Sequence, residues 1–106
     1  MGTIDNPRIQ ELSQILKALG HPTRLFIIEE IAQKPACVCE LKERIGADTS
    51  TVSKHLSILR QAGLVDIEKK GTMVYYSLSC ACVQSCIQSL TPLIELKHKR
   101  YCEMLE

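Results

Sequence analysis

Tryptophan is absent from this chain and phenylalanine occurs once, so that with three tyrosines the aromatic residues make up 4% of 106 positions. A core drawn from such a composition is aliphatic, built from Leu, Ile and Val. No apolar run approaches the roughly 20 residues that cross a bilayer. The opening Met1-Gly2-Thr3-Ile4-Asp5-Asn6 has neither a basic n-region nor an apolar h-region, and Asn6 stands where a myristoylation signal wants Ser or Thr. These absences predict a cytoplasmic protein with no membrane partner. Charge of one sign is also lacking, since the net charge is only +1, and any affinity for a polyanion must come from cations placed locally. There is no C-x-x-C and no βαβ pattern, which argues against a thiol oxidoreductase, and the chain is read as a non-enzyme. Cysteine is missing from the first 36 residues and then occurs at 37, 39, 80, 82, 86 and 102. In a reducing compartment six such thiols are reactive groups or ligands rather than a disulfide framework.

A chain of this length forms one domain, residues 1–106, and 45% hydrophobic content supplies one modest core. The stretch 46–63 organises it. Val52, Leu56 and Leu59 recur at i, i+4 and i+7 as a narrow apolar stripe, while Ser50, Thr51, Ser53, Lys54, Ser57, Arg60 and Gln61 cover the remaining circumference. Asp48 or Thr49 can cap the start, and Gly63 sits where a left-handed residue ends a helix. Residues 49–63 hold Lys54 and Arg60 and no acid, which places positive charge where a phosphate backbone can use it.

The neighbours turn an amphipathic helix into a unit. Cys39 to Ile45 reads as a second short helix joined by the Gly46-Ala47-Asp48 turn, the arrangement of a helix-turn-helix. Leu64–Lys70 and Met73–Leu78 alternate apolar and polar residues around Gly71-Thr72, the pattern of a two-stranded hairpin. The expected fold is mainly α with a small β-hairpin, a winged helix-turn-helix. Before it, Pro7 to Gly20 reads as a first amphipathic helix through Ile9, Leu12, Ile15, Leu16 and Leu19, and a second runs from Pro22 to Lys34. His21 at its entrance is read as a cap or turn residue. The ordered segments Ala18 to Leu25 (ALGHPTRL), Ser53 to Leu56 (SKHL), Leu59 to Val65 (LRQAGLV) and Gly71 to Leu78 (GTMVYYSL) resemble the ArsR/SmtB family of metal- and metalloid-sensing repressors over nearly the whole chain.

That resemblance implies double-stranded operator DNA as partner, read by Ser50, Thr51, Ser53, Lys54, His55 and Arg60 and by Lys69 and Lys70 of the wing. It also implies a homodimer through the first and last helices. Val83, Ile87, Leu90, Ile94 and Tyr101 suit this role with a heptad-like spacing, widened by Leu93, Leu96 and Met104. Pro92 forces that last helix either to kink or to restart with Thr91 as its cap. The family's terminal-helix zinc motif is not reproduced, because Tyr101 stands three residues after His98, and the Lys97-His98-Lys99-Arg100 run is read as a solvated face.

The resemblance bears most closely on the thiols. Cys37-Val38-Cys39-Glu40-Leu41 is similar to the family's Cys-Val-Cys-Asp-Leu segment, which forms an arsenite- or cadmium-sensing site. The third cysteine of arsenic-responsive members is replaced here by Lys42. Residues i and i+2 share a side only on an extended backbone or one just entering a helix, so Pro35–Val38 is expected to be extended and Cys39 to begin the helix, where an N-terminus favours the thiolate. A short strand here would add to the wing. If it pairs with the second wing strand, Cys80, Cys82 and Cys86 are the candidates to complete the ligand set, and Cys102 is left as an interface residue. The alternatives are a self-contained site of Cys80, Cys82 and Cys86 at the start of the terminal helix, which would signal through the dimer interface, a closed structural zinc site, against which the lack of C-x₂-C spacing argues, and thiols packed as small hydrophobes. The expected function is a repressor released by a thiophilic ion, arsenite or antimonite foremost, with cadmium, lead, zinc and copper(I) in the same class. The alternative is a redox- or persulfide-responsive repressor of the same fold.

Overall fold

The computed structural model describes residues 4–105. The reading of Met1, Gly2 and Thr3 as free of a targeting signal lies outside the described residues. Helix α1 (Pro7–Leu19) starts at Asn6, whose side chain accepts the Arg8 amide at 2.8 Å. Helix α2 (Pro22–Gln33) starts at His21, whose Nδ1 accepts the Thr23 amide at 3.1 Å, so that histidine is a cap. In both helices Pro occupies the first turn, where no backbone donor is lost.

The chain then makes β1 (Ala36–Cys37), α3 (Val38–Ile45), α4 (Thr49–Gln61), β2 (Val65–Lys70), β3 (Met73–Leu78), α5 (Ala81–Leu90) and α6 (Pro92–Leu105). The three strands form one antiparallel sheet in the order β1-β3-β2. The extended segment before the helix-turn-helix does join the second wing strand, with Ala36 opposite Tyr76 and Cys37 opposite Tyr75. It ends sooner than the sequence suggests. Val38, not Cys39, is the first helical residue, because Cys37 takes the cap position and Glu40 closes a capping box over it. Gly46 and Gly71 adopt φ of 78° and 63° at the two tight turns, a region that costs any side chain strain.

The core is aliphatic as composition requires. Ile27, Ile28, Leu41, Val52, Leu56, Leu59 and Val65 are its largest fully buried side chains, and they join α2, α3, α4 and β2 beneath the hairpin. The terminal helix does not restart at an extended cap. Thr91 stays helical (φ −56°, ψ −39°) and its hydroxyl donates to the Ile87 carbonyl at 3.0 Å, so Pro92 produces a kink between α5 and α6. No residue of α6 is buried. Among the described residues no helix is long and apolar enough to cross a membrane.

Candidate nucleic-acid interface and its thiols

Helix α4 divides as its periodicity demands: Val52, Leu56 and Leu59 are buried, while Ser50, Thr51, Ser53, Lys54, Ser57 and Arg60 are exposed. Asp48 begins it by accepting the Thr51 amide at 2.8 Å and the Ser50 hydroxyl at 3.0 Å. Hydrogen bonds from Thr51, then from Ser50, hold the Asp48 carboxyl below its usual range, and its negative charge faces the positive end of the helix dipole. Ser50 thus serves the cap with its proton and keeps its lone pairs for an outside donor.

The wing follows this helix, with β2 packed against α4. Lys69 and Lys70 are the last residues of β2, opposite Val74 and Met73, and both are exposed. The Lys70 ammonium lies 5.7 Å from the centre of the Tyr75 ring, which steadies the cation without neutralising it. The ion pairs found among the described residues both run through Arg44, to Glu30 at 3.0 Å and to Glu40 at 4.0 Å. Lys54, Arg60, Lys69 and Lys70 are therefore not spent on carboxylates.

His55 departs from its expected place on the DNA-reading face. Its side chain is half-buried and turned toward the start of α2, with Nδ1 3.2 Å from an Arg24 guanidinium nitrogen and its ring 4.7 Å from the His21 ring. The cause is its angular position: three residues after Val52 and one before Leu56, it falls on the flank of the stripe rather than opposite it. Burial, then the neighbouring His21, Arg24 and Lys54 charges, push its pKa down.

The thiols are not gathered as the sequence suggests. Cys37 is buried while Cys39 is exposed, so the pair spans the helix start with its side chains in different surroundings. The Cys37 amide and thiol both donate to Glu40 Oε1, at 3.1 and 3.4 Å. Those bonds, the amide's first, hold the Glu40 carboxyl below its usual range. From Tyr75, opposite Cys37, strand β3 runs away to Leu78, opposite Val65, a path of roughly 10 Å at strand rise. Cys80 and Cys82 lie beyond that end, so β3 carries them away from Cys37. Among the described residues no three His, Cys, Asp or Glu side chains stand close enough to hold a metal ion. The chain alone therefore does not assemble the three-thiolate site built from Cys37, Cys39 and one of Cys80, Cys82 or Cys86. Cys80 instead caps α5, its sulfur accepting the Cys82 amide at 3.1 Å, and is joined to Cys82 as a disulfide. Cys86 and Cys102 are exposed free thiols.

Comparison with known proteins decides what this geometry belongs to. The family model described as bacterial regulatory protein, arsR family, matches residues 21–66. The transcriptional activator HlyU of Vibrio cholerae is 35% identical over 89 residues, covering 84% of this chain and 76% of HlyU. This chain belongs to the arsR family of regulators. The putative arsenical resistance operon repressor ArsR2 of Halobacterium salinarum is 38% identical over 77 residues, 71% of this chain and 65% of that protein. Reduced HlyU superposes with a TM-score of 0.72 at 32% identity, covering 81% of this chain and 90% of that one. A homodimeric winged helix-turn-helix DNA-binding domain from Mycobacterium bovis superposes with a TM-score of 0.74 at 26% identity, covering 92% of each chain. The ArsR family and these structural neighbours are transcriptional regulators rather than enzymes. The arsR-family match ends before the wing tip and takes in neither Cys80, Cys82, Cys86 nor Cys102. Arg24 is the contact that sequence reasoning left without a role, and its partner His55 is 31 positions away, a separation with no local signature.

Proposed function

We propose that this arsR-family member is a cytoplasmic, homodimeric repressor that holds double-stranded operator DNA through α4 and the wing and releases it when its thiols change state. The observation that carries the DNA reading is the acid-free polar face of α4, on which Lys54 and Arg60 are exposed, as Lys69 and Lys70 are at the wing tip. The likeness to the homodimeric Mycobacterium bovis domain supports pairing of two chains. The apolar residues left exposed on α1 and α6 support it too.

For the inducer, the likeness to ArsR2 and the Cys37-Val38-Cys39 segment support a thiophilic ion, arsenite or antimonite foremost. Sulfur ligands select such ions. A three-coordinate ion would draw its remaining thiolate from outside the chain, since one chain does not group three. A second reading is supported by the sulfurs of Cys80 and Cys82, which stand side by side at the start of α5: two thiols give up two electrons and two protons to a peroxide or persulfide and become one disulfide. Either event must couple to DNA by linkage, typically by about 1–3 kcal/mol.

The test is release of a fluorescent operator duplex from the reduced protein by arsenite, antimonite, cadmium, lead, zinc, copper(I), peroxide and persulfide. Ion-driven release that is lost in Cys37→Ser and Cys39→Ser supports the first reading. Oxidant-driven release lost in Cys80→Ser and Cys82→Ser supports the second. Release that survives all four replacements sinks both.

A further inference from the structure

The last turn of α1, the start of α2 and the DNA-reading helix meet at three side chains that the repressor function does not absorb. Arg24 Nε donates to the Ala18 carbonyl at 2.6 Å, satisfying one of the carbonyls that a helix C-terminus leaves without a partner. The same guanidinium reaches His55 on α4 at 3.2 Å. Because a guanidinium can only donate, His55 Nδ1 must be the acceptor and its proton must sit on Nε2. His21 has the same requirement, since its Nδ1 accepts the Thr23 amide that caps α2. The two rings lie 4.7 Å apart at 48°, so they also share one pocket of charge.

We propose that Arg24, His55 and His21 form a proton-sensitive brace that sets the orientation of α4 against α1 and thereby tunes operator affinity. Arg24 and His55 are positioning residues, with no contact to DNA required of either. A proton on His55 Nδ1 turns an acceptor into a donor that faces a donor, which breaks the bond and adds like charge beside Arg24. The charged and titratable groups around His55 are His21 and Arg24 from α2 and Lys54 from its own helix, and Lys17 of α1 lines the cleft beside Arg24. Arg24, Lys54 and Lys17 are cationic, and none of these groups is a carboxylate that would offset the incoming proton. A helix freed from this brace keeps its core stripe but loses its fixed pose, and a basic surface that reads DNA depends on pose for register.

The sign of the effect separates the brace from simple charge. A DNA-binding face that merely gains protons tightens on phosphate as pH falls, whereas the brace predicts weakening. The experiment measures anisotropy of a duplex selected from a random pool by the reduced protein. It runs from about pH 7.5 to about pH 5.5, the range of an imidazole, at constant ionic strength, with circular dichroism and sedimentation recorded at each pH. Wild-type affinity is expected to fall toward the acid end of that range, by up to about tenfold for each pH unit over which one proton is taken up. His55→Gln, which keeps an acceptor for Arg24 but cannot titrate, should remove most of the decline. Arg24→Gln should bind more weakly at every pH with the dimer intact, and Arg24→Lys should recover part of the loss. Affinity that is flat or rises on acidification in the wild type overturns the brace. So does a decline that persists unchanged in the His21→Gln, His55→Gln double variant. The inference rests on α4 being the DNA-reading helix, and that reading fails separately, through salt dependence unaltered by Lys54→Ala and Arg60→Ala.

Discussion

Leu56 and the two residues on either side of it show what a single position on α4 carries. Leu56 is 1% exposed within the aliphatic core, so Leu56→Ala removes buried methyl groups and leaves a cavity, at an expected cost of about 2–5 kcal/mol. Ser57→Ala, on the exposed side, should stay within about 0.5 kcal/mol. Urea denaturation of the two variants checks the register of the helix, and equal costs would mean that it is rotated. The place of Leu56 is legible in the sequence because period and chemistry agree. That of His55, one residue earlier, is not, because a polar side chain on the flank of a stripe can turn either way and a partner on another helix settles it. Its lowered pKa also gives stability a pH dependence. The unfolded chain takes up a proton near the ordinary imidazole value of about 6.5, and the folded chain does so only at lower pH. The unfolded state binds more protons in that interval, so stability is whole above about pH 6.5 and falls as pH drops toward the folded-state value. Urea midpoints at about pH 7.5 and about pH 5.5 should separate in the wild type and draw together in His55→Gln.

Helices and strands show the same division between local pattern and distant contact. The hairpin β2–β3 follows from alternation around Gly71-Thr72, and its register places Lys69 and Lys70 at the tip. The start of α3 falls one residue earlier than the sequence suggests because the capping box between Cys37 and Glu40 competes with continued strand, and a side-chain hydrogen bond outweighs one more extended residue. Pairing of β1 with β3 is legible, but the distance of Cys80 and Cys82 from Cys37 is not. It depends on the direction of the antiparallel ladder, which carries the later cysteines away rather than together. At this scale the exposed residues of α4 and the wing are expected to divide by role. Lys54→Ala or Arg60→Ala should weaken all duplexes alike and reduce the slope of log affinity against log salt by about one for each phosphate no longer neutralised. Changes at Ser50, Thr51 or Ser53 should instead alter sequence preference. A slope unchanged by both basic replacements would take α4 out of the interface.

The described residues are more drawn out than a compact domain of that length, with a radius of gyration of 16.6 Å and extents of 57 × 42 × 23 Å against roughly 13 Å for a compact domain of about 100 residues. No residue of helix α6 is buried, and its Leu93, Ile94, Leu96, Tyr101 and Met104 stand 41–83% exposed. On α1, Ile9, Leu12 and Leu16 are 40–53% exposed. An isolated helix of this length is marginal in water, and an apolar surface of this kind marks an interaction site. In the homodimer proposed above, Ile94→Glu places a charge where the two copies meet, and burying it unpaired costs more than the apolar packing returns. Sedimentation should then find monomers at concentrations where the wild type is dimeric. Wild-type thermal stability should fall on dilution, as it must when folding and association are linked, while that of the variant should not. Operator affinity should fall by more than any single phosphate interaction explains, because two recognition helices held about one helical turn of DNA apart act as one ligand and two free monomers do not. Intact Ile94→Glu dimers with unaltered operator affinity would remove α6 from the interface.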